Sequence, residues 1–169
     1  MPPRANLRLS TPTRQNEVAT IPQESMRGVI DALAIIELDE VARCVCTLPE
    51  DNFAAGFDSG ILHVYGPDGV VIDSAALDSQ IVGLANLQDI LVAGTNTGGV
   101  QSLNNEPLWS HPLGSGCEAV TASSFHVVVA DGSGRLVSLA EDGSKVAQAE
   151  VGHVTSLTCS PDGVCAAAL

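Results

Sequence analysis

The chain has 169 residues, with 20 aspartates and glutamates against seven lysines and arginines and a formal net charge of −13. A surface this acidic repels phosphate backbones, which argues against nucleic acid as a partner. No stretch reaches the ~18–20 consecutive apolar residues that a membrane-spanning helix needs, so no membrane association is expected within this chain.

Residues 1–28 open the chain as a polar segment with Pro2, Pro3, Pro12 and Pro22, and read as a flexible lead-in. Its four arginines against Glu17 and Glu24 give it a charge of +2, and the remainder carries −15. The start, Met1 to Asn6, lacks the apolar core of a secretory signal, so the expected location is the cytoplasm. Val29–Leu38 is ambiguous. Apolar residues at 29, 30, 33, 34 and 38 suit a helix, but Ala34–Val41 lies 39–40 residues before Asp73–Ile81, the place of an outer strand leading into a first one. The strand reading is preferred.

From Val41 onward the chain repeats itself. Ala55-Gly56-Phe57-Asp58-Ser59-Gly60-Ile61-Leu62 returns as Ala93-Gly94-Thr95-Asn96-Thr97-Gly98-Gly99-Val100 and again as Ala130-Asp131-Gly132-Ser133-Gly134-Arg135-Leu136. Gly60, Gly98 and Gly134 are 38 and 36 residues apart. A second register, Val45, Val82, Val120 and Leu157, steps by 37, 38 and 37; a third, Val71, Trp109 and Val146, steps by 38 and 37. A period in this range marks a repeat architecture.

Each repeat is patterned for strands. Ile90–Ala93 and Val127–Ala130 are short apolar runs rich in β-branched residues, and Asp68-Gly69, Asp131-Gly132, Asp142-Gly143 and Asp162-Gly163 are tight-turn pairs. The last full repeat divides into strands at Glu118–Ala122, Val127–Ala130, Arg135–Leu139 and Lys145–Glu150. Four short antiparallel strands recurring at about 40 residues make a propeller blade, so the fold class is an all-β β-propeller. Residues 29–169 hold the blades, at 41–77, 78–113 and 114–151, with a fourth that starts at Gly152 and reaches only its second strand. Two readings of the partial blade stay open. The chain is the N-terminal part of a longer propeller, or Leu7–Leu9 and Val18–Ile21 supply the missing outer strands and close a ring of four.

The segment Gly152-His153-Val154-Thr155-Ser156-Leu157-Thr158-Cys159-Ser160-Pro161-Asp162-Gly163 resembles the opening of a WD-repeat blade, with its Gly-His pair and Ser-Pro-Asp-Gly turn, although no Trp-Asp dipeptide closes any blade. Gly134-Arg135-Leu136-Val137-Ser138-Leu139 and Leu103–Trp109 are more similar to quinoprotein-type blades. The resemblance to this broad superfamily covers about residues 30–169. It implies the fold, and for His153 a structural hydrogen bond to an acidic residue within the blade.

Chemistry-bearing residues have simpler structural readings. Cys44 and Cys46 share one face of a strand but lack the knuckle spacing of a zinc site, and Cys46 and Cys159 take equivalent repeat positions where a small core hydrophobe sits. Five cysteines without a secretory signal argue against disulfides. The Asp-Gly turns lack the alternating oxygen ladder of a calcium loop. Trp109, the sole tryptophan, has an outer-strand position suited to contact between blades. No catalytic residue, metal site or cofactor is therefore expected. The expected function is a non-enzymatic interaction platform for another protein, with Asp58, Asn96, Phe125 and Asp131 as candidate loop contacts chosen by position. The alternative is a fragment of a quinoprotein-like oxidoreductase or another propeller enzyme whose active residues lie beyond Leu169.

Overall fold

Strand-forming runs separated by turn residues leave the chain one economical arrangement, an antiparallel meander, and that arrangement recurs throughout. The computed structural model describes Leu38, residues 40–104 and residues 106–169; every regular element among them is a β-strand. The lead-in, both latch segments and residues 29–37 of the ambiguous stretch lie outside the described residues. Blade 1 comprises β1 (Ala42–Thr47), β2 (Phe53–Phe57), β3 (Ile61–Tyr65) and β4 (Val71–Ala76). Blade 2 comprises β5 (Ile81–Leu87), β6 (Ile90–Thr95), β7 (Gly99–Asn104) and β8 (Glu106–Pro112). Blade 3 comprises β9 (Cys117–Ala122), β10 (Val127–Asp131), β11 (Arg135–Leu139) and β12 (Lys145–Glu150). A two-stranded fourth sheet pairs β13 (Ser156–Cys159) with β14 (Cys165–Ala168). The strands read from the sequence for blade 3 match to within a residue. Innermost strands β1, β5, β9 and β13 stand side by side in that order, so the fold is a β-propeller arc of three full blades and a partial one.

Apolar layers between blades form the core. Between blades 1 and 2 lie Ala54, Leu62, Ile81, Leu84, Leu91 and Ala93; between blades 2 and 3 lie Leu87, Val92, Val100, Val127, Val129 and Leu139. Each fully buried aliphatic side chain contributes ~1.5–3 kcal/mol by leaving water. Close approach in blades 1 and 2 depends on a missing side chain at the next-to-last position of the second strand. A Cβ on Gly56 would stand 2.7 Å from Ile81, and one on Gly94 would stand 2.5 Å from the Cys117 sulfur and 2.6 Å from Val120.

Pairing corrects two details of the repeat register. Val45 opposes Ala55, Leu84 opposes Ala93 and Val120 opposes Val129, so Leu84 rather than Val82 is the structural counterpart of Val45 and Val120. All three first strands carry the same one-residue bulge, so the shift arises from unequal spacing: Leu84 follows Val45 by 39 residues and precedes Val120 by 36. Val45 is 67% exposed because its side of blade 1 has no neighbouring sheet among the described residues. The glycine with positive φ in the third-strand turn is Gly60 (φ 81°) in blade 1 and Gly134 (φ 84°) in blade 3, but Gly99 (φ 121°) rather than Gly98 in blade 2. There the Thr95 hydroxyl accepts the Gly98 amide at 3.2 Å and reshapes the turn by one residue.

Trp109 fulfils its expected role. From β8 its ring covers Gly143 in the β11–β12 turn of blade 3, and its indole N–H donates to the Glu141 carbonyl at 2.7 Å. The cysteine expectation fails at one site. Cys159 and Cys165 form a disulfide, although Cys159 was expected to be a free core residue and disulfides were not expected. The reason is register: the two residues face each other in the last pair before the β13–β14 turn, with Cα atoms 4.1 Å apart. Cys44, Cys46 and Cys117 remain free, and burial pushes the Cys117 thiol up to about 12 and the Cys44 thiol up to about 11.

Gly94→Ala is expected to destabilise the chain by ~1–3 kcal/mol in urea unfolding, through overpacking against Cys117 and Val120, while Gly114→Ala, with open space around it, leaves the midpoint unchanged. Iodoacetamide at pH 8 is expected to spare Cys44 and Cys117 in the folded chain and to modify both once it is unfolded. Cys159 and Cys165 are expected to label only after reduction, read by peptide mass mapping.

Candidate functional site

Antiparallel strands of similar length place alternate turns at opposite ends of the blades, and the four candidate contacts separate accordingly. Asp58, Asn96 and Asp131 stand at the turns between second and third strands. Phe125 stands at the other end, in the turn joining β9 to β10.

At the first end, two of the three polar candidates belong to a rail that joins blades 1 and 2. Arg43 Nε lies 2.7 Å from Asp58 Oδ1, the Gln80 side-chain amide donates to the same carboxylate, and the Asn96 amide donates to Gln80 Oε1 at 3.0 Å. The Asn96 backbone N–H also donates to the Gln80 carbonyl at 3.1 Å. Both partners of the Arg43–Asp58 pair are more than half exposed, so its strength is that of a solvated surface pair.

Asp131 is not a surface contact. Its side chain is 0% exposed, against the expectation that it projects from the loop. One carboxylate oxygen accepts the Ser133 backbone N–H at 2.9 Å, the Ser133 hydroxyl at 2.6 Å and the Arg135 backbone N–H at 3.1 Å. The other accepts Arg135 Nε at 2.8 Å and Nη2 at 2.5 Å. Burial pushes its pKa up, but these bonds from Ser133 and Arg135 outweigh it and hold the carboxyl below its ordinary value. The turn consumes this aspartate to fix itself.

His153 differs from the expectation in its partner. Nδ1 lies 3.2 Å from Glu118 Oε2, an acid on β9 of the preceding blade, so the contact ties the linker to blade 3 and is not internal to the fourth sheet.

The opposite end is built differently. Gln88 in the β5–β6 turn donates to the Ser124 carbonyl at 3.3 Å, and the Ser124 N–H donates to the Pro161 carbonyl of the β13–β14 turn at 3.1 Å. Three successive blades are thereby stitched turn to turn. Phe125 sits within this line, 63% exposed, with its backbone N–H held by the Ser123 hydroxyl at 3.2 Å. Between blades 1 and 2, at the same end, a cleft of about 320 Å³ opens. Leu62, Val64, Leu91 and Leu103 line it beside Glu50, Asp73 and Asp89. Glu50 (φ 61°), Asp51 (φ 58°) and Gln88 (φ 57°) hold left-handed backbone conformations in the two turns that border it. The repeat motifs did not single out this cleft. Its lining residues read as ordinary alternating strand positions, and Asp89 as one turn acid among several.

No group of three or more metal-ligating side chains is present among the described residues, and no described helix is long and apolar enough to cross a membrane.

No family model matches the chain, and no curated protein matches it in sequence. Solved structures do. The computationally designed Ika4 protein matches with a TM-score of 0.64 and 18% identity over 78% of this chain and 92% of its own. U3-55K matches with a TM-score of 0.71 and 12% identity over 78% of this chain and 46% of its own. BamB from Moraxella catarrhalis matches with a TM-score of 0.59 and 19% identity over 66% of this chain and 38% of its own. At these identities the likeness is one of fold, and the fold shared is the β-propeller. The matched region spans less than half of U3-55K and of BamB.

Asp131→Asn is expected to cost ~1.5–3 kcal/mol at pH 7, the worth of hydrogen bonds to a charged group. Because the folded-state pKa of Asp131 is depressed, its contribution is complete above the unfolded value of about 3.9 and is lost as pH falls through the folded value. Urea midpoints of the two proteins are therefore expected to differ at pH 7 and to converge in acid.

Proposed function

We propose that the chain is a non-enzymatic interaction platform for another protein, with the end of the arc that carries Phe125 as its binding end. One observation supports this reading above the others. The Gln88–Ser124–Pro161 line ties three turns into one rigid edge and leaves a large aromatic side chain exposed within it. A turn that costs no ordering on contact is a good recognition element, and exposed aromatics are the residues that most often anchor interfaces. Affinity would come from a few such anchors on a stiff scaffold.

Asp58 and Asn96 are secondary contacts in this reading, since both already serve the rail between blades 1 and 2. Kinship with WD-repeat or quinoprotein-like propellers is part of the same proposal and is supported by the blade pattern. Trp109, which suggested quinoprotein-type blades, is taken up by contact with blade 3, and this favours the platform over the oxidoreductase alternative. For location, the Cys159–Cys165 bridge favours an oxidising compartment over the cytoplasm expected from the sequence.

Selection of a displayed random peptide library on the immobilised chain is expected to yield ligands, and Phe125→Ala is expected to weaken a share of them by tenfold or more, about 1.4 kcal/mol. The thermal unfolding midpoint should stay unchanged, because the ring is exposed. A selection that enriches no ligand would overturn the platform reading.

A further inference from the structure

The cleft between blades 1 and 2 combines two features that ordinary surface lacks. Its floor is apolar: Leu62, Leu91 and Leu103 from β3, β6 and β7 reach it, and the first two are almost wholly buried. Its rim is acidic: Glu50 from the β1–β2 turn, Asp73 from β4 and Asp89 from the β5–β6 turn are all exposed. None of the three carboxylates has a cationic partner among the described residues. The described arginines and lysine are committed elsewhere, Arg43 to Asp58, Arg135 to Asp131 and Lys145 to the Gln148 side chain. The one side-chain bond on the rim is local, the Ser74 backbone N–H to Asp73 Oδ1 at 2.8 Å.

We infer that this cleft receives an arginine side chain, flanked by apolar residues, from a basic segment of a protein partner. A cavity of about 320 Å³ lies at the small end of ligand pockets and has room for one or two side chains. An arginine meets both of its features at once. Its methylene stem lies along the leucine floor, and its planar guanidinium offers five donors to the carboxylates above. A neutral apolar side chain would use the floor and leave the rim unsatisfied. An acidic one would be repelled by the rim and by the charge of −15 carried by residues 28–169. Turn geometry explains why the cleft stays open. Blades 2, 3 and 4 are stitched at this end by the Gln88–Ser124–Pro161 line, whereas no hydrogen bond joins the β1–β2 and β5–β6 turns among the described residues.

This inference rests on the platform reading, and the test separates the two. The probes are blocked, fluorescein-labelled pentapeptides, Leu-Arg-Leu-Arg-Leu and its counterparts with lysine or glutamate in place of arginine. Binding to the full chain is followed by anisotropy, and the contacted residues by amide chemical shifts. The arginine peptide is expected to bind saturably, to shift the amides of Asp73, Asp89 and Leu91 above all others, and to weaken as salt rises. The lysine peptide should bind more weakly and the glutamate peptide not at all. Asp73→Asn with Asp89→Asn changes exposed charges only, and is expected to lower affinity about tenfold or more without moving the unfolding midpoint. Shifts scattered over the acidic surface, or affinity unchanged in the double variant, would overturn the inference and leave the platform intact. An empty library selection would remove the platform reading, and the cleft proposal with it.

Discussion

The distance between adjacent blades is the constraint on which the rest of the structure depends. It is set where the end of a second strand meets the next blade's first strand, and there the chain has no side chain to spare. Gly56 admits Ile81, and Gly94 admits Val120 and Cys117. With those gaps closed, the leucines and valines of both layers interlock, and the turns at each end come within hydrogen-bonding reach of their neighbours. The rail through Asp58, Gln80 and Asn96 at one end and the Gln88–Ser124–Pro161 line at the other are consequences of that spacing. The cleft is what remains where turns of unequal length fail to meet.

Much of this fold was legible because its signals are local. A β-branched run bounded by Asp-Gly states both the strand and where it stops, and the repetition of such units states how many sheets there are. What the sequence hid is register. Unequal spacing between blades, 39 residues from the first to the second and 36 from the second to the third, moved the counterpart of Val45 to Leu84, and the Thr95 hydroxyl moved the left-handed glycine of blade 2 by one position. Neither effect shows in composition or in the average period.

The candidate contacts illustrate the same limit. Position in the repeat identified Asp58, Asn96 and Asp131 as loop residues; Asp58 and Asn96 lie in turns, whereas Asp131 is the last residue of β10. Whether a loop carboxylate faces water or its own turn depends on which partners lie two and four residues on. For Asp131 those are Ser133 and Arg135, and the carboxylate turns inward to them. Equivalent positions in the other blades hold Phe57 and Thr95, so the three turns share an outline and differ in what fixes them. The cleft was invisible for a related reason. It is formed by residues from four strands and two turns, brought together only by the spacing between blades.

The bond between Cys159 and Cys165 also changes how the end of the arc bears load. β14 is a short strand with one hydrogen-bonded neighbour among the described residues, and tension applied at Leu169 would peel it from β13 one residue pair at a time. The separation halts at the sulfur bridge, which lies at the last pair before the turn. Force then passes straight from one strand to the other, and residues 160–164 lie off its path. The turn that holds Ser124 through the Pro161 carbonyl is thereby mechanically insulated from whatever pulls on the strand that follows it.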